Sequence, residues 1–92
     1  MSVEVRHDAA KNRFEATVDG QLCVADYQRR GDVLWMTHTG VPPAVGGRGI
    51  AAELVRTALA WAADQGLKVE PACSYVEVYM RRHPQTLALL AR

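Results

Sequence analysis

The sequence predicts an α+β fold: a mixed sheet of about five strands, the first four antiparallel and the fifth parallel to the fourth, carrying one long and one short helix. Three observations predict it. From Val3 to Thr39 apolar residues alternate with polar ones in short runs broken by turn residues, the pattern of half-buried strands. From Gly49 to Gln65 the apolar residues recur instead at three- and four-residue spacing, the helical period. Between these two regimes lies a turn with three glycines in four positions, Gly46, Gly47 and Gly49.

The first strand is read from Val3 and Val5 alternating with Glu4 and Arg6, and a polar turn from Asp8 to Arg13 leads to a second strand through Phe14, Ala16 and Val18. Asp19-Gly20 fits a two-residue type I′ hairpin turn, in which both positions need positive φ. A third strand follows from Gln21 to about Arg29, apolar on both faces and therefore central. Gly31-Asp32 turns the chain again. Val33 to Thr39 is β-branched and aromatic enough for the fourth strand.

The long helix places Ile50, Leu54, Ala58, Trp61 and Ala62 on one face and Glu53, Arg56, Thr57 and Asp64 on others. Gly66 then Leu67 forms its stop, with glycine in the left-handed position and the apolar residue folding back. Leu67 to Pro71 is the fifth strand, and the strand-helix-strand connection makes it parallel to the fourth. Ser74-Tyr75-Val76-Glu77 has the spacing of a capping box, so a second helix is expected from Ser74 to about Arg82, before Pro84. Gln85 to Arg92 is read as a last helical turn or two.

Ninety-two residues make one domain, spanning 1–92, long enough to bury a core without disulfides. With 49% hydrophobic and 23% charged residues and a net charge of +1, nothing calls for nucleic acid. The charged start of the chain is unlike a signal peptide, and no apolar run is long enough to span a membrane. Two cysteines do not make a disulfide framework. A cytoplasmic protein with reduced thiols is expected.

The turn from Val41 to Ala51 reads as an anion cradle. Its glycines let backbone approach a ligand, and the helix that begins there offers unpaired N–H groups and the positive end of its dipole. Gly47-Arg48-Gly49-Ile50-Ala51-Ala52 also fits the dinucleotide fingerprint, but the antiparallel start of the chain lacks the repeated strand-helix-strand units of that fold. No Lys-Ser or Lys-Thr follows the glycines, which excludes a P-loop.

Several side chains could carry chemistry. Cys73 lies between a strand and a helix start, where a thiolate is favoured, although a small buried residue at a strand end would look the same. His38 stands close to the glycine turn as either a base or a packing residue. Tyr75 and Tyr79 share a helix face, either as a proton donor or as core contacts with wet hydroxyls. Arg81-Arg82 is either a solvated helix end or a phosphate clamp. His7, His38 and His83 have no close spacing, so no metal site is expected.

In Val41, Pro43, Gly47, Gly49 and Ala51 the turn resembles the signature of GNAT-type N-acetyltransferases. Gly46 stands where that family usually carries Arg or Gln, and Arg48 is placed to substitute. Together with Pro71-Ala72-Cys73-Ser74-Tyr75-Val76, Arg82-His83-Pro84 and His38-Thr39-x-Val41-Pro42, the chain resembles a compact stand-alone subgroup of that family over residues 35 to 85 or so. The resemblance implies a three-layer fold whose fourth and fifth strands splay apart around the pantetheine arm of acetyl-CoA. It implies that backbone N–H groups of Gly46, Gly47, Arg48, Gly49, Ile50 and Ala51 hold the pyrophosphate, and that Thr39 and Val41 bond the pantetheine amides. Ser74, Arg81 and Arg82 would complete the cofactor contacts. Tyr79 would take the role of the acid that protonates the departing thiolate, and Cys73 would accept the acetyl group. Larger relatives carry two helices after the first strand that help build the acceptor site, and here only a short turn stands there. The expected activity is acetyl transfer from acetyl-CoA to an amine or thiol; the alternatives are a CoA or acyl-CoA binding module without turnover, and a purely structural glycine turn.

Overall fold

A computed structural model of the chain describes residues 3–91. Its strands are β1 (Arg6–Asp8), β2 (Arg13–Val18), β3 (Gln21–Arg30), β4 (Val33–Gly40) and β5 (Lys68–Pro71), and its longer helices are α1 (Ile50–Asp64) and α2 (Ser74–Arg82). The sheet runs in chain order, β1 to β4 antiparallel and β5 parallel to β4. This is the mixed five-strand architecture expected from the alternation and the single long helical run, with β3 at its centre.

The local turn chemistry explains the connections. Asp19 and Gly20 both have positive φ, 51° and 75°, as a type I′ turn requires. At the end of α1 the Leu67 N–H donates to Ala62 O at 2.8 Å and the Gly66 N–H to Ala63 O at 3.1 Å. Those two bonds are a Schellman motif, and Leu67 returns to the core at 3% exposure.

The second helix spans Ser74–Arg82 as expected, while two boundaries and one cap differ from expectation. The first strand pairs from Arg6 rather than Val3, because Ala9–Lys11 forms a tight 3-10 turn capped by Asp8 and closed by Asn12 at φ 54°. Val3 and Val5 instead pack on the core without pairing. The capping box at Ser74 does not form. Cys73 occupies the cap position and Ser74 is the first helical residue, because the Cys73 N–H is drawn to Met36 O at 2.9 Å and fixes the chain one residue earlier. The last segment is a 3-10 helix, Pro84–Leu89, followed by a parallel bridge from Leu90 to Val69 that extends the sheet beyond β5. Arg92, included in that expected helical end, lies outside the described residues, as do Met1 and Ser2.

The core gathers Phe14, Cys23, Ala25, Leu34, Met36 and Val69 from the sheet with Ile50, Leu54, Ala58 and Ala62 of α1 and Val76 and Met80 of α2. Leu54 is fully buried, and each such side chain contributes about 1.5–3 kcal/mol. Glu15 is the one charged residue among the described buried positions, at 9% exposure. Arg13 (2.8 Å) and Arg6 (3.3 Å) both pair with it, which offsets the cost of desolvating its carboxylate. No helix among the described residues is long and apolar enough to cross a membrane.

His7 closes an aromatic cluster against Trp61, in the last turns of α1. Its ring stacks on Phe14 with centroids 4.1 Å apart, meets Trp61 edge-on at 4.7 Å, and its Nε2 lies 2.6 Å from the Tyr27 hydroxyl. His7 remains exposed, but the partial desolvation of its ring against the cluster lowers its pKa below the usual histidine value, against an opposing pull from the neighbouring Asp8 carboxylate. A depressed folded-state pKa means that the unfolded chain binds the proton more readily. Stability from this contact is therefore full above about pH 6.5 and is lost as pH falls through the folded pKa. Thermal melts of the wild type are expected to decline below about pH 6.5 more steeply than those of His7→Phe; parallel declines would remove His7 as the cause.

Candidate functional site

One extra residue in β4 shapes the site. Tyr27 pairs with Met36 but Asp26 pairs with His38, leaving Thr37 as a bulge without a β3 partner of its own. The Thr37 hydroxyl donates to Asp26 O at 3.4 Å across it. A bulge bends its strand and increases the local twist. Parallel pairing with β5 ends just before that residue: the last partners are Met36 and Pro71. Beyond it β4 runs on through Thr37–Gly40 while the segment after β5 turns into α2, and the Cys73 N–H to Met36 O bond marks the point of divergence.

At that fork the structure brings two of the sequence-predicted residues together. Thr39 Oγ1 lies 3.6 Å from Cys73 Sγ. Burial, the largest single influence on the thiol, would raise its pKa; it is outweighed by the Thr39 hydroxyl and by the N–H groups of Val76, Tyr75 and Thr39, so the thiol is held below its ordinary range. No cap hydrogen bond is closed by the sulfur itself. Those N–H groups are oriented to receive negative charge once it forms. Cys23, by contrast, is fully buried in mid-sheet, and desolvation pushes its pKa up.

His38 does not meet Cys73. Adjacent strand residues point to opposite faces, and it is Thr39 that reaches the thiol. The His38 ring lies across Gly40, its Nε2 3.0 Å from where a β-carbon would stand, so a larger residue at 40 would displace it. Tyr79 stacks on His83 with centroids 4.0 Å apart, and its neighbours on α1 are Arg56 and Glu53. Desolvation raises the pKa of Tyr79, and of Tyr75 as well. Of the two tyrosines it is Tyr75 that lines the cavity at the glycine turn.

That cavity, about 240 Å³, is walled by Val41, Gly46, Gly47, Gly49, Ile50 and Tyr75. It opens beside the amino terminus of α1, fifteen residues long, whose first turn has no side-chain cap. Gly47 and Gly49 hold φ of 77° and 76°, a region closed to most residues, and a β-carbon on either would project into open space. The Gly46 N–H donates to Pro43 O at 3.1 Å, so the expected cradle from Gly46 to Ala51 narrows to donors from Gly47 onward. Arg48 Nη1 pairs with Asp19 Oδ2 at 2.7 Å. In the sequence Asp19 reads only as a turn residue; a contact between a hairpin tip and a loop 29 residues away leaves no local signal.

Ser74 is exposed at the start of α2, and Arg81 and Arg82 are exposed at its end, where Arg81 lies 3.9 Å from Glu77. Among the described residues no group of three or more His, Cys, Asp or Glu side chains is placed to hold a metal.

Iodoacetamide at neutral pH is expected to alkylate Cys73 well before Cys23. Thr39→Val should move the half-maximal pH of Cys73 alkylation upward, as followed by peptide mass spectrometry; an unmoved profile would dissociate the thiol from the hydroxyl.

The model of the GCN5-related N-acetyl-transferase family matches residues 13–89. The protein NATD1 of Gallus gallus is 32% identical over 85 residues, covering 89% of this chain and 77% of the relative. The Homo sapiens protein NATD1 is likewise 32% identical over 85 residues, covering 89% and 75%. A GCN5-like protein from Staphylococcus aureus, solved by NMR, shares the fold with a TM-score of 0.76 over 95% of this chain and 86% of that one, at 21% identity.

Proposed function

Because the chain belongs to the GCN5-related N-acetyltransferase family, we propose that it moves the acetyl group of acetyl-CoA to an amine or thiol acceptor, with the thioester placed in the fork between β4 and β5. The observation that carries this reading is the juxtaposition at one end of the sheet of an uncapped helix start, a stretch of β4 that pairs with β3 but no longer with β5, and the Thr39–Cys73 pair.

The residues present fit the cofactor. Gly47, Arg48, Gly49, Ile50 and Ala51 offer backbone N–H groups to a pyrophosphate at the positive end of the α1 dipole. Arg48, while its guanidinium stays on Asp19, adds positive charge beside the turn, and Ser74, Arg81 and Arg82 supply further polar groups along α2. Past the bulge, the main chain of Thr39 and Val41 replaces a missing strand partner with the amides of the pantetheine arm. Such an extended ligand satisfies a sheet edge as a strand would.

Two routes for the acetyl group follow. In the first, the Cys73 thiolate attacks the thioester carbon, the bond to the CoA sulfur breaks, and CoA leaves as a thiolate that takes up a proton from Tyr79 or water. An acceptor amine then attacks acetyl-Cys73, gives its proton to water, and regenerates the Cys73 thiolate. In the second, the amine attacks bound acetyl-CoA directly, with His38 or water as base and Tyr79 as acid. The depressed pKa of Cys73, secured by Thr39, favours the first route.

Calorimetric titration with CoA, acetyl-CoA, NAD and ATP in turn is expected to show binding of the CoA species alone. Gly47→Val, which forces a β-branched residue to positive φ, should weaken that binding at least about tenfold. No binding of any CoA species near millimolar concentration would overturn the reading. In the presence of acetyl-CoA, intact mass spectrometry should find one acetyl group on the wild type and none on Cys73→Ala; a Cys73→Ala variant with full turnover would leave only the direct route.

A further inference from the structure

Resting on that reading of the glycine turn as the cofactor cradle, we propose that Asp19 is a positioning residue for it: the hairpin tip between β2 and β3 holds the turn in its binding conformation through Arg48. Gly46 to Gly49 are all exposed, between the buried pins Val45 (1% exposure) and Ile50 (2%). Within that span three of four residues are glycine, so Arg48 is the only side chain by which the rest of the protein can hold it. Its guanidinium is engaged by Asp19 at 2.7 Å.

The partner is suited to the task. Asp19 stands at φ 51° in a two-residue turn whose second position is Gly20, so its carboxylate projects from a short, geometrically fixed hairpin. Gly47 and Gly49 gain conformational freedom whenever the turn is released, and glycine loses more of that freedom on ordering than any other residue. A tether that has already ordered the turn removes that cost from ligand binding, the usual effect of preorganisation. The alternative is competition, in which Asp19 occupies a guanidinium that phosphate would otherwise take. The two predict opposite signs, and the strut is favoured because Arg48 has a glycine on either side and little else to fix its direction.

Asp19→Asn separates them cleanly. Asparagine tolerates positive φ in this turn as well as aspartate does, so the hairpin survives and only the charge is lost. The variant is expected to raise the Kd for CoA and the KM for acetyl-CoA by about three- to fivefold, the range of an exposed ion pair, with kcat unchanged. Arg48→Lys, which keeps a charge within reach, should recover part of the affinity lost in Arg48→Ala. Amide hydrogen exchange at Gly47 and Gly49 should quicken in ligand-free Asp19→Asn. Unchanged exchange and unchanged KM would overturn the proposal, and a lowered KM would establish competition in its place. Failure of the wild type to bind CoA at all would instead sink the cofactor reading, leaving the exchange result to report on the tether alone.

Discussion

The site depends on a single constraint, that two strands can pair only while they keep the same rise and twist. Thr37 adds one residue to β4 that β3 does not match, and the ladder to β5 stops where that residue enters. From there the backbone groups of β4 that would have faced a fifth strand need other partners, since leaving one buried and unpaired costs about 1–3 kcal/mol. Water can satisfy them at an open fork, and so can an extended ligand rich in amides. A bulge is thus a local defect in pairing with a functional consequence one or two residues downstream.

The elements around the fork are anchored by core contacts and hydrogen bonds. The β4–α1 connection leaves the sheet at its carboxyl end, where open sheets commonly bind ligands, and Val45 and Ile50 pin both sides of the exposed glycines into the core. On the other branch, β5 is short and held between β4 and the bridge from Leu90, with the Ala91 N–H donating to Val69 O at 2.9 Å. The chain end therefore covers an edge that would otherwise be open to another strand. Gly46 to Gly49, the segment that would contact phosphate, are exposed and have only the Arg48 side chain as a tether.

Elements governed by near neighbours along the chain are legible in the amino-acid sequence. The Asp19-Gly20 hairpin, the Gly66-Leu67 helix stop and the amphipathic face of α1 each follow from residues within a turn or two of one another. The glycine turn and Cys73 stand out as candidates for the same reason. What is not legible is set by distant contacts. Thr37 is an ordinary β-branched strand residue, and only the mismatch with Tyr27 and Asp26 makes it a bulge. Ser74 and Glu77 have the spacing of a cap, yet Met36 O captures the Cys73 N–H and moves the cap back by one. The stacking of His7 on Phe14 joins two strands across a turn whose tightness depends on Asn12 adopting positive φ.

The same displacement of the cap bears on how an acyl group could move. Had Ser74 capped α2, its hydroxyl would have taken the first N–H groups, and Cys73 would have been an ordinary thiol at a strand end. With Cys73 in the cap position, the Tyr75 and Val76 N–H groups are left to the sulfur, and Thr39 adds a hydroxyl from the facing strand. A lowered pKa raises the thiolate fraction but lowers the intrinsic nucleophilicity of each thiolate, so attack on a thioester gains only modestly. Its larger effect is on the reverse role, because a more acidic thiol leaves faster. In the proposed two-step route that role belongs to the second step, an amine expelling a thiolate from acetyl-Cys73. The N–H groups and hydroxyl around the sulfur stabilise the charge that develops in that step, which is where a small site with few other groups has most need of it.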